Sequence, residues 1–439
     1  MTDNRRLQRP AARADAFGGV LREVLGDLAD PAVLLGRQLS CFLLSWFLLT
    51  SALGASVHAT ERARDLGVPF AGETGRHNAI TDVAGVEVGH TTIIEGSGEL
   101  RRGEGPIRTG VTAIHPRGKN STSPVFGGWF TLNASGEMTG TTWLDERGLI
   151  DGPILITNTH SVGVARDAAV AWMVDRGWPA DWHAPIAAET YDGVLNDING
   201  FHVTRDHALA AMQSASGGPV LEGAVGGGTG MICNRFKGGI GTSSRVVSYE
   251  SLSYTVGVLV QCNYGARDHL KQIAGVSVTE LHEVLLPCVR ADLASGVWPS
   301  CDERAAAELA SGSRDGSIIV VVATDAPLLP HQLKRIAKRP SLAIGRLGAI
   351  SGDGSGDIFV AFSTAAKDVL DENSLSRGLS MFPNNHLSLV FEATVEATEE
   401  AIVNAMVAAD TMEGANGYTV FGLPEERLRA IMERARKQD

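Results

Sequence analysis

The chain has 439 residues, of which 44% are hydrophobic and 20% charged. This balance is typical of a soluble globular protein and excludes collagen-like, coiled-coil and wholly disordered chains. The formal net charge of −12 leaves no basic surface for nucleic acid, which is therefore excluded as a partner. Glycine is abundant, with 51 residues, and it favours tight turns and close backbone approaches.

The first 59 residues predict an N-terminal arm that ends in a signal peptide. Residues 1–40 are polar and rich in arginine, and an apolar run follows at 41–53. A membrane-spanning helix needs about 20 apolar residues, so no stable membrane span is expected. The basic flank and the small residues after the run are typical of a secretory signal, with Val57 and Ala59 at positions −3 and −1.

This segment predicts a periplasmic or secreted protein. A buried core helix or a membrane anchor is the alternative, and the protein would be cytoplasmic if the segment is not a signal. In an oxidising compartment Cys288 and Cys301 could pair and close a short loop. Four free, mostly buried thiols at Cys233, Cys262, Cys288 and Cys301 are an equally acceptable alternative.

Residues 60–439 contain no repeat, proline-rich linker or charge block, which predicts one large domain. Apolar, β-branched runs bounded by Gly, Asp or Pro predict buried strands at 258–261, 318–322 and 358–362. Helical patterns are found at 167–176, 280–295, 330–338 and 398–412. In the last helix Thr398 is the expected N-cap. The mixture predicts an α/β layered sandwich.

Several common site types have no motif in this sequence. The glycine tract at 226–245 lacks the GxxxxGK[ST] phosphate-binding pattern, and no GxSxG nucleophile elbow is present. Neither CxxC nor HExxH occurs, so we expect no metal site and no cofactor. His90 and His160 are expected to be structural histidines and not catalytic bases.

The segment DGSIIVVVATDAPL at 315–328 is the most informative one. Gly316 and Ser317 lie where a polar loop meets a strand apolar enough for both its faces to be buried. This position suits attack of the Ser317 hydroxyl on the Gly316 carbonyl, an N-to-O acyl shift whose hydrolysis leaves Ser317 as a new chain terminus. The freed α-amine, with a reference pKa of about 7.7–8.0, can accept the hydroxyl proton. An ordinary strand that follows a small loop residue is the alternative.

Other strand ends carry polar side chains that suit the same chemistry. Ser355 and Asp357 lie two residues apart and would share one face of a regular strand, as possible hydrogen-bond partners. Asn263 ends another apolar run, and its amide suits donation to an oxyanion. Tyr191 is a second possible donor, and Glu189 is a carboxylate that could hold a substrate ammonium. Each signal alone is weak, because polar residues at strand ends commonly form turns.

Together these segments resemble the DmpA family, which comprises L-aminopeptidase/D-esterase/amidases and β-peptidyl aminopeptidases. The resemblance covers nearly all of residues 66–430. It is carried by RHNAITDVAGVEVGHTT at 76–92, IRTGVTAIHP at 107–116, ETYDG at 189–193, GGGTGMICNRFKGGIGTSSR at 226–245, VQCNYG at 260–265, DGSIIVVVATDAPL at 315–328 and GSGDIFVAFST at 354–364.

The resemblance implies a four-layer αββα sandwich similar to the N-terminal-nucleophile hydrolases and to ornithine acetyltransferase. It also implies one self-cleavage between Gly316 and Ser317. The products would be an α chain, 60–316, and a β chain, 317–439, which remain associated. Family members often assemble as tetramers of such pairs.

The resemblance also assigns roles to the site residues. Ser317 would be the nucleophile, and Ser355 and Asp357 would support its amine and hydroxyl. Asn263 and Tyr191 would stabilise the tetrahedral intermediate, while Glu189 would bind the free amino group of the substrate. Two departures from the family pattern are an Asp at 357, where β-aminopeptidases have Glu, and a long helical stretch before the cleavage site.

The predicted function is a self-processing serine aminopeptidase or amidase that releases N-terminal amino acids from peptides, amides or esters through an acyl-enzyme on Ser317. One alternative is a self-cleaving N-acyltransferase of the ornithine acetyltransferase type. The other is a non-catalytic exported binding protein that holds a ligand with its glycine-rich loops.

Overall fold

The computed structural model describes residues 61–289, 300–301, 316–366 and 378–438. The signal peptide predicted at 1–59 and the polar stretch just before Gly316 lie outside these residues. The strands are β1 Glu87–Glu95, β2 Ile107–His115, β3 Val125–Ala134, β4 Leu149–Ile150, β5 Ile154–Asn158, β6 Ile186–Thr190, β7 Ile232–Cys233, β8 Phe236–Lys237, β9 Gly239–Tyr249, β10 Leu252–Asn263, β11 Gln272–Ile273, β12 Val276–Ser277, β13 Cys288–Val289, β14 Ser317–Thr324, β15 Gly356–Ser363, β16 Met412–Glu413 and β17 Tyr418–Val420.

Helices are grouped on the outer faces of the sheets. They are α1 Thr141–Arg147, α2 Val162–Asp175, α3 Arg205–Ser214, α4 Pro330–Ile336, α5 Pro340–Arg346, α6 Leu387–Val407 and α7 Glu425–Arg436. Within the described residues no helix is both long and apolar enough to cross a membrane.

Two principal sheets form the centre of the protein. The first has the strand order β1-β2-β5-β6, and the second has the order β4-β3-β15-β14-β10-β9. Pairing is antiparallel except between β5 and β6 and between β14 and β15, which run parallel. The strands that carry most of the predicted site residues are therefore neighbours in the second sheet.

Three hydrophobic cores define four layers. One core lies between the sheets and includes Ile154 and Ile156 of the first sheet with Ile319 and Val321 of the second. A second core packs α2 and α3 against the outer face of the first sheet. The third joins α4, α5, α6 and α7 to the outer face of the second sheet. The order helix, sheet, sheet, helix confirms the predicted αββα sandwich.

Alternation along β14 explains why its sequence is almost uniformly apolar. Ile318, Val320 and Val322 point to the helical core, whereas Ile319 and Val321 point to the core between the sheets. Every residue of this strand is buried, so neither face tolerates the polar half of an alternating pattern. The predicted strands at 258–261, 318–322 and 358–362 are confirmed within β10, β14 and β15.

Two of the predicted helices differ from the structure. The segment predicted as a helix at 280–295 contains a short 3-10 turn, Thr279–Glu283, followed by β13, and residues 290–299 lie outside the described part. Pro287 between them cannot donate a backbone hydrogen bond to a continuing helix. The prediction of Thr398 as an N-cap is also wrong, because α6 begins at Leu387 and the Thr398 hydroxyl donates to the Thr394 carbonyl within the helix at 2.6 Å.

Candidate active site

The ends of three adjacent strands place Asn263, Ser317 and Gly356 in one row across the second sheet. Asn263, the last residue of β10, is paired with Ser317, the first residue of β14. Ser317 is paired in turn with Gly356, the first residue of β15. Strand pairing brings together residues far apart in sequence and holds them at fixed spacing.

The peptide bond between Gly316 and Ser317 lies against the backbone amide of Gly356. The amide of Gly356 donates to the carbonyl oxygen of Gly316 at 3.2 Å and to the Ser317 hydroxyl oxygen, also at 3.2 Å. One donor, the Gly356 amide, therefore holds both the Ser317 hydroxyl and the Gly316 carbonyl. An amide that donates to a carbonyl oxygen also suits the negative charge that develops when that carbonyl is attacked.

Residue 316 has room for glycine alone. A Cβ there would lie 2.2 Å from the backbone oxygen of Asn263 and 2.9 Å from the Cα of Tyr264. Both are backbone atoms, which cannot rotate away. The close approach of β10 to the residue before Ser317 thus requires glycine at this position.

Ser355 and Asp357 form a buried pair at the start of β15. The Ser355 hydroxyl donates to a carboxylate oxygen of Asp357 at 2.7 Å. Asp357 is paired with Ile318, the residue after Ser317, so the side chains of Ser317 and Asp357 leave the sheet on opposite faces. This placement suits support of the backbone nitrogen of Ser317, which the predicted cleavage would turn into an α-amine, better than support of its hydroxyl.

The side-chain amide of Asn263 is fixed at both ends. Its oxygen accepts a hydrogen bond from the backbone amide of Ile232 at 2.8 Å, and its nitrogen donates to the Tyr191 carbonyl at 2.9 Å. An amide nitrogen carries two hydrogens, so one donor remains after the bond to Tyr191. A fixed donor beside Ser317 suits stabilisation of an oxyanion.

Glu189 lies on β6 with only 2% of its surface exposed. One carboxylate oxygen accepts from the backbone amide of Glu137 at 2.9 Å, and the other accepts from the Thr159 hydroxyl. Burial raises the pKa of Glu189 above its usual range. A Cβ added to Gly136 would lie 3.0 Å from the carboxylate and 3.3 Å from the Cα of Gly356, which places this acid beside the Ser317 row.

Tyr191 follows β6 and has 49% of its surface exposed. Burial of the phenol and the nearby Asp192 raise its pKa, which keeps the phenol protonated and able to donate. Its backbone carbonyl contacts Asn263, whereas a Cβ at Gly193 would meet the phenol oxygen at 2.4 Å and Ile198 at 2.9 Å. The structure therefore joins Tyr191 to Asn263 through its backbone and places the phenol beside Gly193.

The two histidines named from sequence differ in their surroundings. His90 contacts the Thr112 hydroxyl at 3.0 Å, and burial lowers its pKa to about 4, as suits a structural histidine that stays neutral. His160, however, is exposed and stacks on Phe201 with ring centroids 5.8 Å apart. Among the described residues no cluster of three or more His, Cys, Asp or Glu side chains could hold a metal ion.

Two disulfides lie in the part of the chain that precedes Gly316. Cys288 pairs with Cys301, the pairing considered from sequence. Cys233 also pairs with Cys262, which the sequence did not indicate because 29 residues separate them. The second disulfide joins the residue after Ile232 to the residue before Asn263, and so it flanks the hydrogen bond that orients the Asn263 amide.

Sequence reasoning missed the groups that orient the site residues. They are the backbone amides of Gly356, Ile232 and Glu137 and the hydroxyl of Thr159. Backbone donors have no side-chain signature, and Thr159 lies 30 residues from Glu189. Only the glycines at 136, 316 and 356 could have indicated that backbone passes close to these side chains.

Comparison with known proteins gives a family for the whole arrangement. The model of Peptidase family S58 matches residues 78–420. A beta-peptidyl aminopeptidase BapA of Sphingosinicella microcystinivorans is 57% identical over 385 residues, covering 88% of this chain and 95% of that protein. A beta-peptidyl aminopeptidase BapA of Sphingosinicella xenopeptidilytica is 47% identical over 395 residues, with the same coverage of both chains.

Solved structures agree with the sequence relatives. The L-aminopeptidase D-Ala-esterase/amidase of Ochrobactrum anthropi, which has a variant of the Ntn hydrolase fold, superposes with a TM-score of 0.75 at 45% identity and covers 86% of this chain and 99% of its own. A β-aminopeptidase from Burkholderia sp. superposes with a TM-score of 0.73 at 44% identity, covering 85% of this chain and 99% of its own. The chain therefore belongs to Peptidase family S58 and is an aminopeptidase.

Proposed function

We propose that Ser317, once freed from Gly316, is the nucleophile of this aminopeptidase. The observation that carries the proposal is the position of the two residues: Ser317 begins β14, and the Gly356 amide donates to both its hydroxyl and the Gly316 carbonyl. In self-cleavage the Ser317 oxygen attacks the Gly316 carbonyl carbon, the C–N bond breaks, and the proton passes to the leaving nitrogen. Water then hydrolyses the ester, leaving a carboxylate on Gly316.

Turnover repeats the same chemistry on a substrate. The Ser317 hydroxyl attacks the carbonyl of an amide or ester, and its proton passes through the α-amine to the leaving group. Asn263, with Tyr191 as a second donor, stabilises the oxyanion, while Ser355 and Asp357 orient the α-amine. Water releases the acyl group. The buried Ser355–Asp357 hydrogen bond and the doubly fixed Asn263 amide support these roles because neither group must reorganise during the reaction.

Glu189 is proposed to bind the free amino group of the substrate. A buried carboxylate beside the nucleophile favours an ammonium that enters from water, provided that the carboxylate is ionised. The β-peptidyl activity in the names of the two relatives supports N-terminal β-amino acids as the substrate class. The peptide bond cleaved would then lie one carbon farther from the ammonium than in an α-peptide.

A panel of p-nitroanilides tests the substrate class. The members are β-alanyl, L-alanyl, D-alanyl and N-acetyl-β-alanyl p-nitroanilide. We expect the highest kcat/KM for the β-alanyl compound and no turnover of the acetylated one, which has no ammonium. Hydrolysis of the acetylated compound at the same rate would contradict the role of Glu189, and a clear preference for L-alanyl would contradict the β-amino-acid proposal.

An added amine separates hydrolysis from acyl transfer. If the self-cleaving acyltransferase alternative were right, an aminoacyl donor incubated with a second amine would give mainly the new amide. We expect mainly the free amino acid. Activity toward none of the p-nitroanilides would instead support the alternative of a binding protein.

Export and assembly are part of the proposal. The apolar run at 41–53, its arginine-rich flank and the small residues to Ala59 support removal of a signal peptide and a periplasmic or secreted location. We propose that the two pieces remain associated after the cut and assemble as a homotetramer of pairs. Mass photometry of the purified protein tests the assembly, and the mature N-terminus tests the export.

A further inference from the structure

We propose that Phe201 and His160 form an apolar wall of the subsite that holds the substrate's N-terminal residue, and that they select apolar side chains there. This inference rests on the proposed role of Glu189 in binding the substrate ammonium. It is supported by the conformation of Phe201, by the loop that holds it, and by the contacts that link this ring pair to Glu189.

Phe201 adopts a backbone conformation that a bulky residue rarely occupies. Its φ and ψ are 55° and 46°, in the left-handed region, and 59% of its surface is exposed. Left-handed geometry is unfavourable for a non-glycine residue, and a large exposed apolar side chain gains little from burial. A bulky residue held in this conformation with its ring exposed motivates a functional role for the ring.

The loop before Phe201 is held rigidly. The backbone amide of Asp197 donates to the Pro106 carbonyl at 2.9 Å. The Asp197 carboxylate accepts from the backbone amide of Gly103 at 2.6 Å and contacts the His202 ring at 2.9 Å. Anchors on both sides of Phe201 fix its backbone, so the ring is presented and does not have to be ordered when a ligand binds.

His160 connects the ring to the ammonium site. It stacks on Phe201 with an angle of 22° between the ring planes. The preceding residue, Thr159, donates to the carboxylate of Glu189, and His160 itself interacts electrostatically with that carboxylate. The stacked pair therefore stands next to the group proposed to hold the substrate ammonium.

Tyr191 lies near the same loop, whose Ile198 is buried. Ile198 belongs to the loop that carries Phe201, and the Tyr191 phenol approaches it beside Gly193. A substrate whose ammonium contacts Glu189 and whose carbonyl faces Ser317 would extend its side chain toward these rings. An apolar side chain gains contact with the Phe201 ring, whereas an acidic one would be desolvated against that ring and would lie beside the Glu189 carboxylate, which carries the same charge.

The test uses the self-processed, full-length enzyme and three p-nitroanilides, of β-alanine, β-homoleucine and β-homoglutamate. The variants are Phe201→Ala and Phe201→Gly, which both remove the ring, and Phe201→Leu, which keeps an apolar side chain. Glycine accepts a left-handed backbone, so Phe201→Gly separates loss of the ring from loss of stability. Tyr249→Ala is the matched control, because Tyr249 forms an exposed ring pair with His386 at the opposite end of β10 from Asn263.

We expect both ring-deleting variants to lower kcat/KM for the β-homoleucine compound by about tenfold, mainly through KM, while the β-alanine compound changes less than about twofold. Phe201→Leu should retain most of the preference, and Tyr249→Ala should change neither substrate. An equal loss of kcat/KM for all substrates, or an unchanged ratio of kcat/KM between the β-homoleucine and β-alanine compounds, would contradict the proposal. A wild-type enzyme that cleaves none of the three would instead overturn the proposed function, and the inference with it.

Discussion

At the scale of single residues, the amide of Asn263 is a side-chain donor that two hydrogen bonds fix next to Ser317. Replacing Asn263 with Ala removes the donor but leaves the strand pairing of β10 with β14, which is made by the backbone. We expect kcat to fall by about 10²–10³-fold with a small change in KM, as for other oxyanion donors. Steady-state kinetics on the β-alanyl compound measures this effect, and unchanged kcat would remove Asn263 from that role.

Glu189→Gln tests the ammonium site at the same scale. Glutamine keeps the shape of the side chain but removes the charge, so kcat/KM for substrates with a free amine should fall by about 10–100-fold, mainly through KM. Circular dichroism should show an unchanged fold. An unchanged KM would contradict the assignment.

The pH dependence gives a second test of Glu189. Burial raises the pKa of its carboxylate, so the carboxylate becomes protonated, and loses the ammonium, at a higher pH than an exposed glutamate would. In the wild type kcat/KM should already fall below the α-amine's reference pKa of about 7.7–8.0, because the Ser317 amine then gains a proton. Protonation of Glu189 should add a second acid limb, at a pH above the pKa of about 4.3 of an exposed glutamate. Asp192 is also buried, with its pKa raised to about 7, so the assignment depends on loss of this limb in Glu189→Gln.

Sequence reasoning predicted the side chains that the structure brings together better than the groups that hold them. Asn263, Ser317, Ser355 and Asp357 were recognisable because each stands where an apolar run begins or ends. The sequence does not show that the side chains of Ser317 and Asp357 lie on opposite faces of the sheet, because this depends on where β15 begins. The register of β15 is fixed by its pairing with β14, which the short sequence around Ser355 and Asp357 does not reveal.

At the scale of elements, Gly316 shows how closely two segments approach. Gly316→Ala places a Cβ 2.2 Å from the Asn263 carbonyl oxygen, so the start of β14 must move away from the end of β10. We expect slower or absent self-cleavage and a lower melting temperature. Gel analysis over hours after expression measures the first effect. Normal cleavage with an unchanged melting temperature would show that the close approach is dispensable.

Helix α6 shows why the boundary of an element can be harder to predict than its type. The sequence LSLVFEATVEA before Thr398 is apolar on most sides, so it lacks the single stripe that indicates an amphipathic helix, yet it forms the first half of the buried α6. By contrast, the uniform β-branched runs of β10, β14 and β15 indicate strands that are buried on both faces. Burial of a helix on several sides is set by the tertiary structure and not by local periodicity.

At the scale of the whole molecule, the proposed cut leaves the strands of the C-terminal piece in the interior of the second sheet. The C-terminal piece supplies β14 and β15, which are flanked by β3 on one side and β10 on the other, both from the N-terminal piece. Separation would break these two pairings and that of β13 with β17, and it would expose the face of β14 that packs on the first sheet. This interleaving supports the proposal that the cleaved pieces stay together.

A buried ion-pair cluster also joins the two pieces. Glu400 on α6 contacts Arg64 at 2.8 Å and Arg245 on β9 at 2.8 Å, and it accepts from the Asn78 side chain at 2.6 Å. Glu400→Gln leaves two arginines without their shared carboxylate and should lower the free energy of unfolding by about 3–5 kcal/mol. Chemical denaturation of the cleaved enzyme measures the loss. A change below about 1 kcal/mol would show that the cluster contributes little.

The same cluster predicts an acid dependence of stability. Burial alone would raise the pKa of Glu400, but hydrogen bonds and charge interactions with Arg64 and Arg245 outweigh it and hold the pKa below the usual range. The stabilisation by Glu400 is therefore complete at a pH above about 4.3, the pKa of an ordinary glutamate. It is lost as the pH falls through the lowered pKa of Glu400. In Glu400→Gln this acid-dependent contribution should be absent.

The central claim is that Ser317 becomes active only when its bond to Gly316 is cut. Intact-mass spectrometry and N-terminal sequencing of the purified wild type and of Ser317→Ala test it most directly. The account predicts two fragments for the wild type, one beginning at Ser317, and a single uncut, inactive chain for Ser317→Ala. A wild-type enzyme that is fully active while its chain remains continuous through residues 316 and 317 would contradict it.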